Sequence, residues 1–460
     1  MSKYNSNVGT GRIKEIIEKK GAHVHFIGAG GVGMYSLLRL SEECGCSVSG
    51  SDAEITPLSD LLLKSGRNMK IGHSAQNAKG ANLTVYTLAV SEDNPEILYA
   101  EKNSIPTVSR AEYLGAIMEK YNERIGVSGT HGKSTTTAML DAIFVLAQKE
   151  PTTVMGAKIP GETEPVRIGK KKYFIYEACE YKDSFLRFSP TVAVLTNLEL
   201  EHTDYFKDTD SLKASFLSAI KGAKLAAINC DDENLRSLLP RVSSECISFG
   251  VSESADYRVL ITDVSEGLYS FKIRHEGQDA VSISLKIPGK FNVMNAAAAA
   301  AVSLELGISP TVVERALSGF LGVERRLQHL GKFKGAAVYY DYAHHPTEIE
   351  NAIRAVKEIH PGKLAVIFKP HTYSRTEAFM DGFVSALSLA DLALVCEVSG
   401  IREENARAIS SRSIVSKLGD VAKYISDEGG VSSFVDYGFD SVIIMGASNL
   451  DVVKGSFFGK

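Results

Sequence analysis

The chain has 460 residues, 44% hydrophobic and 23% charged, with a formal net charge of -4. Its length exceeds what one hydrophobic core supports, so two or three domains are expected, and its composition excludes a disordered or fibrous chain. The absence of any Lys/Arg block argues against nucleic acid as a partner. No apolar run approaches the roughly 20 residues of a membrane span. The opening MSKYNSNVGTGRIKEIIEKK lacks the apolar stretch of a signal peptide, so no membrane association and a cytoplasmic location are expected. Six cysteines (44, 46, 179, 230, 246 and 396) lack the paired spacing of a zinc site and read as free, mostly buried thiols.

In chain order, an apolar run from His23 to Ile27 meets a glycine cluster (Gly28, Gly30, Gly31, Gly33), and a helical pattern follows from Met34 to Cys44. A short strand, Ser47 to Ser49, leads to Asp52, and another, Leu83 to Val90, stops before the turn signal Asp93-Asn94-Pro95. Strands alternating with helices imply a parallel, Rossmann-like sheet. The cluster fits G-x-G-x-x-G, with Asp52 19 residues after Gly33. Small residues let a diphosphate approach a helix N-terminus, and the carboxylate suits ribose hydroxyls. The pattern alone leaves open NAD(P), a nucleotide-linked substrate, or a merely tight turn.

A helix from Ala111 to Asn122 precedes a new strand, Arg124 to Val127, which opens a second glycine-rich turn, Gly126-Val127-Ser128-Gly129-Thr130-His131-Gly132-Lys133-Ser134-Thr135. A helix, Thr136 to Leu146, follows. Strand, Gly-Lys-Ser loop and helix make a phosphate-binding loop whose first glycine sits one residue earlier than in the strict pattern. Its backbone N–H groups would hold phosphate oxygens, Lys133 the terminal phosphates, and the Ser134 hydroxyl Mg²⁺. Strands at Tyr173 to Tyr176 and Val192 to Leu195, a polar β-rich insert (Tyr257 to Ile287) and an alanine-rich helix (Val293 to Leu306) continue this unit. Beyond Arg325-Arg326 the pattern restarts, with strands Ala336 to Tyr340, Leu364 to Phe368, Leu392 to Cys396 and Ser441 to Met445. The expected fold class is α/β in three successive domains: a Rossmann-like unit over 1–122, a central P-loop ATPase unit over 123–326 and a Rossmann-like unit over 327–460.

Several ordered motifs then resemble the Mur ligase family. The loop Gly129-Thr130-His131-Gly132-Lys133-Ser134-Thr135 resembles that family's in full, and His131 favours its alanine-adding branch. Phe26 to Met34, Asp93-Asn94-Pro95-Glu96 with Arg110, Glu177-Ala178-Cys179-Glu180 with Ser184-Phe185-Leu186, and Thr196-Asn197 with Glu201-His202 continue the match. So do Asn292 with Asn295-Ala296, Glu324-Arg325-Arg326, Asp341-Tyr342-Ala343-His344-His345-Pro346-Thr347-Glu348 and Pro370-His371-Thr372-Tyr373-Ser374-Arg375-Thr376. The chain departs from the family at Phe291, where His is usual, at Tyr340, where Asp is frequent, and at Ser448-Asn449.

The resemblance implies an ATP- and Mg²⁺-dependent ligase that joins L-alanine to the carboxylate of UDP-N-acetylmuramate through an acyl phosphate, in peptidoglycan precursor synthesis. It further implies that Gly28, Gly30, Gly31, Gly33, Asp52, Asn94 and Arg110 hold the UDP-substrate. The phosphate loop with Asn292, Asn295, Arg326 and Asp341 would hold ATP. Ser134, Glu177 and His202 would hold metal. His344, His345 and Arg375 would take the alanine carboxylate and the developing charge, with Lys133, Glu177, His202, His344 and Arg375 as the catalytic set. A monomer or weak homodimer is expected. The alternatives are another amide ligase of the family, with a recycled muropeptide or a different amino acid as substrate, an NAD-dependent oxidoreductase, and a non-catalytic nucleotide-binding protein.

Overall fold

Three β-sheets, one in each successive part of the chain, organise the computed structural model, which describes residues 8–158, 162–400 and 409–459. The first seven residues of the sequence, part of the N-terminal segment discussed above, lie outside them.

The first sheet is wholly parallel, in the order Asn68–Ile71, Ser47–Asp52, His23–Ile27, Leu83–Tyr86, Thr107–Ser109. Val24, Phe26 and Ile27 are fully buried because helices cover both faces of the central strand. The two edge strands were not foreseen. They are short, and Asn68–Ile71 buries only Met69, so neither carries an apolar run.

The second sheet has ten strands. Its parallel centre is Leu225–Asn229, Val192–Leu195, Glu123–Ser128 and Tyr173–Glu177. The polar insert forms its far edge as an antiparallel meander, Tyr257–Ser265, Leu268–His275 and Gln278–Ser284. Tyr269, Phe271 and Ile273 alternate inward there, the period of two that one-sided burial demands. Behind the sheet, helix Lys133–Leu146 packs on helix Lys290–Glu305, whose residues 296 to 301 are six fully buried alanines. Their small side chains let the two backbones approach closely.

The third sheet runs Gln328–Phe333, Ala336–Asp341, Ser441–Met445, Leu364–Phe368, Leu392–Cys396, Ala422–Ile425, parallel except for the first hairpin. Separate apolar clusters cover its two faces. In open parallel sheets ligands collect beyond the carboxyl ends of the strands. Those ends here are Gly28, the turn at Gly129 and Asp341. Among the described residues no helix is long and apolar enough to cross a membrane.

Candidate active site

At the first strand end, Gly28 takes φ +84°, and a Cβ there would lie 2.5 Å from Thr87 Cγ2. Gly30 N–H donates to Asp52 Oδ2 at 2.8 Å, and Glu54 N–H reaches Asp52 Oδ1 at 3.4 Å, so Asp52 braces the glycine turn. Gly31 begins the helix Val32–Glu43 as its N-cap. A Cβ on Gly33 would meet the Arg110 side chain at 3.1 Å, so that glycine admits Arg110 beside the turn. Asn94 caps the helix Pro95–Lys102 by accepting the Glu96 N–H at 2.9 Å. Arg110 lines a cleft of about 800 Å³ between the first and central domains, together with Lys182 and Arg187. Glu112 and Asp183 line it as well, and the three basic side chains suit the anionic groups of a nucleotide diphosphate or a carboxylate.

The second loop is built for close approach. Gly129 (φ +142°) would place a Cβ 2.0 Å from Thr196 Oγ1, and Gly132 (φ +83°) 2.3 Å from Asn295 Oδ1. Lys133 Nζ donates to the carbonyls of Gly129 and Thr130 and to both oxygens of Glu180, at 3.2 and 3.1 Å. Glu180 is 1% exposed, and the Lys133 charge beside it holds its carboxyl below the usual range although burial acts the other way. His202 Nε2 stands 3.5 Å from Glu180 and 3.8 Å from Glu201. His202 itself sits at φ +54°, a left-handed backbone for a non-glycine residue, and packs at a tilt against Tyr181 with ring centroids 4.6 Å apart.

The third domain completes the cavity. Arg375 Nη2 donates to Glu201 Oε1 at 2.5 Å, and His344 Nε2 lies 3.6 Å from the same oxygen. Burial alone would raise the Glu201 carboxyl, but Arg375, His202 and His344 bring it down to about 2. His131 bridges the central and third domains, 3.0 Å from Glu199 and 3.1 Å from Glu348. Burial opposes its charge, yet these two carboxylates raise its pKa to about 9. His345 is buried against it and, through that burial and the neighbouring His131 charge, is lowered to about 4. Asp341 accepts the backbone N–H of Leu327 at 2.7 Å and of Ala343 at 2.6 Å, and burial raises it to about 6.

A cavity of about 340 Å³ runs from the phosphate loop to the third domain. His131, Gly132, Thr135, Asn292, Asn295, Arg326 and Asp341 line it, as does Phe291. Asn295 Nδ2 donates to Asn292 Oδ1 at 3.1 Å, and Arg326 Nη2 to Ser134 Oγ at 3.5 Å. Thr130 Oγ1 ties the loop to Glu199 by donating to its carbonyl at 2.9 Å.

The carboxylate set against Lys133 and His202 is Glu180, whereas Glu177 accepts the Gly156 N–H at 2.6 Å. The strand Tyr173–Glu177 ends at Glu177, and the chain then turns so that the next glutamate enters the cluster. Glu180, Glu201 and His202 offer ligand atoms within 4.8 Å of one another. Two carboxylates and one imidazole fit a hard divalent cation through their oxygens, with the nitrogen less suited. Glu199, Glu201 and Glu348 were not among the expected site residues. Their signal was two acidic residues just before His202 and one just after the paired histidines.

The chain matches three family models: "Mur ligase family, catalytic domain" over residues 23–122, "Mur ligase middle domain" over 127–303 and "Mur ligase, glutamate ligase domain" over 325–447. It is 38% identical to the UDP-N-acetylmuramate–L-alanine ligase of Caldicellulosiruptor bescii over 87% of this chain and 90% of that one. With its counterpart from Agathobacter rectalis the identity is 37%, over 94% and 96%. The crystal structure of the UDP-N-acetylmuramate-alanine ligase of Thermotoga maritima superposes with a TM-score of 0.81 at 28% identity, covering 95% of this chain and 98% of that one. The murein peptide ligase of Psychrobacter arcticus shares the fold, with a TM-score of 0.74 at 22% identity over 96% and 99%. Three consecutive domain matches and relatives of this identity over most of their length show that the chain belongs to the Mur ligase family.

Proposed function

We propose that the chain is an ATP-dependent ligase that joins L-alanine to the carboxylate of UDP-N-acetylmuramate, in the cytoplasm, for peptidoglycan precursor synthesis. The observation that carries this reading is the meeting of Lys133, Glu180 and His202 at the start of the phosphate-loop helix, between the Arg110 cleft on one side and the cavity shared with the third domain on the other. The printed names of the most similar relatives support the choice of substrates.

Forming an amide from a carboxylate and an amine is uphill in water, so the carboxylate must first acquire a leaving group. In this reading the substrate carboxylate attacks the γ-phosphorus of ATP, ADP leaves, and the alanine amine then displaces phosphate from the acyl phosphate. Lys133 and the loop N–H groups hold the phosphates and stabilise charge on the transferring group. Ser134, Glu180 and His202 would hold Mg²⁺, which when bound offsets the repulsion between the two anions. Arg375 and His344 hold and orient the alanine carboxylate, and Arg110 with Lys182 the anionic groups of the UDP-substrate. Residues from three domains around one point exclude water from the acyl phosphate.

The test is phosphate release and product mass with ATP, Mg²⁺, UDP-N-acetylmuramate and, in turn, alanine, glycine and serine. Amide product requiring alanine is expected. Tight binding of NAD⁺ with no ligation, or ligation of a different amino acid, would overturn the assignment.

A further inference from the structure

Beside the Glu180 cluster lies a second group of potential ligands. His131, Glu199 and His345 each offer one atom, all within 4.8 Å of one another. The first two belong to the central domain, and His345 caps the helix Pro346–Ile359 of the third. His131 Nε2 is 3.0 Å from Glu199 Oε2, and His345 Nδ1 is 3.9 Å from the same oxygen. Tetrahedral zinc with bonds of about 2.0 to 2.1 Å holds its ligand atoms about 3.3 Å apart. That spacing falls between the two observed distances.

The surroundings of His131 and Glu199 orient their atoms as a metal site requires. The far nitrogen of His131, Nδ1, faces Glu348 Oε1 at 3.1 Å. A carboxylate on the far side of an imidazole fixes its tautomer and makes the ligating nitrogen more basic. The second oxygen of Glu199 accepts a hydrogen bond from Thr347 Oγ1 at 2.7 Å, which leaves Oε2 toward His131. His345 is 2% exposed, its Nδ1 accepts only a long 3.4 Å bond from Thr347 N, and its Nε2 has no hydrogen-bond partner. Packing on His131 and Phe379, with ring centroids 5.0 and 4.7 Å away, holds that ring in place. His131 and Glu199 also line the cavity, so a fourth ligand position opens onto it. Two imidazoles and one carboxylate suit zinc and its transition-metal neighbours better than Mg²⁺, which prefers oxygen alone.

We propose that His131, Glu199 and His345 form a binding site for a divalent transition-metal ion, zinc foremost, distinct from the Glu180–Glu201–His202 cluster, and that the bound ion clamps the phosphate loop to the third domain. The ion replaces the proton between His131 Nε2 and Glu199, and that proton passes to solvent. The inference is independent of which substrates the ligase joins.

The experiment uses the full chain, freed of metal by a chelator, in excess Mg²⁺ and without nucleotide, titrated with Zn²⁺ against a chromogenic chelator. One zinc per chain is expected. His345→Gln and Glu199→Gln should each weaken binding by about tenfold or more, while His202→Gln should leave it unchanged. Near-ultraviolet circular dichroism of each variant verifies folding, and the wild-type chain loaded with Co²⁺ gives a second readout: the intense visible bands of a tetrahedral site. Absence of zinc binding by the wild-type chain, weak octahedral cobalt bands, unchanged affinity in both His345→Gln and Glu199→Gln, or loss in His202→Gln would overturn the proposal.

Discussion

Replacing Glu180 with Gln, alongside Glu177→Gln, separates two carboxylates that lie three residues apart. Glu180 is the acid whose two oxygens face Lys133 Nζ at 3.1 and 3.2 Å and whose Oε1 faces His202 at 3.5 Å. Gln keeps the shape and one acceptor but removes the charge, leaving the partly buried Lys133 without its anionic partner. Breaking a buried pair costs about 3 to 5 kcal/mol, and the retained hydrogen bond argues for the lower end. At about 2 to 4 °C per kcal/mol for a unit of this size, Tm should fall by about 6 to 12 °C. Turnover should fall further, by about 100- to 1,000-fold, the size of effect expected when the cation that stabilises the developing charge loses a carboxylate that would hold it. Glu177 accepts one backbone N–H, from Gly156, which Gln accepts equally well, so kcat should stay within about threefold of wild type. Phosphate release over a Mg²⁺ titration, with thermal melts on the same samples, measures both effects. Near-normal turnover in Glu180→Gln together with a collapse in Glu177→Gln would refute the reasoning.

Further outcomes follow from other contacts. His202→Ala should lower kcat at least about tenfold while Tm moves by only about 2 °C, because the side chain meets carboxylates rather than a core; a large fall in Tm with normal turnover would return it to a structural role. Asp341→Asn should cost about 1 to 3 kcal/mol, since an amide cannot accept from both the Leu327 and Ala343 N–H groups, and urea unfolding measures it. Glu96 is fully buried, and although burial raises its carboxyl, hydrogen bonds from His25, Ser51 and Asn77 bring it down to about 2. A depressed carboxyl stabilises the fold above its unfolded pKa and loses that contribution as pH falls through the folded one. The urea midpoints of wild type and Glu96→Gln should therefore differ by an amount worth about 3 kcal/mol at pH 6, and that gap should narrow between pH 4.5 and 2; a gap independent of pH would contradict the assignment.

Both glycine loops were legible because their chemistry is local: a strand must end, a backbone must turn with positive φ, and a helix must start within a few residues. The long core strands carry apolar runs that announce them. The edge strands Asn68–Ile71 and Ala422–Ile425 do not, because each is only four residues long and pairing rather than patterning defines it. That Glu180 faces Lys133 was illegible for a different reason. The strand ends at Glu177 and Glu180 itself is αR, at φ −77°, so strand periodicity no longer fixes which way its side chain points. The pairing of Glu201 with Arg375, 174 residues away, joins two domains and leaves no mark on local spacing.

That last pairing bears on how ligands gain access to the third domain. Arg375 and His344 already stand beside the Glu201 carboxylate, away from bulk water. An amino-acid carboxylate arriving there meets an arginine whose hydration shell is already largely stripped, so recognition becomes an exchange of one carboxylate for another. The free energy of that exchange depends on how the two acids differ rather than on the full dehydration of an arginine. Affinity should accordingly be modest, and selectivity should lie in what surrounds the amine and side chain, because the carboxylate that every amino acid carries merely substitutes for one the protein supplies itself.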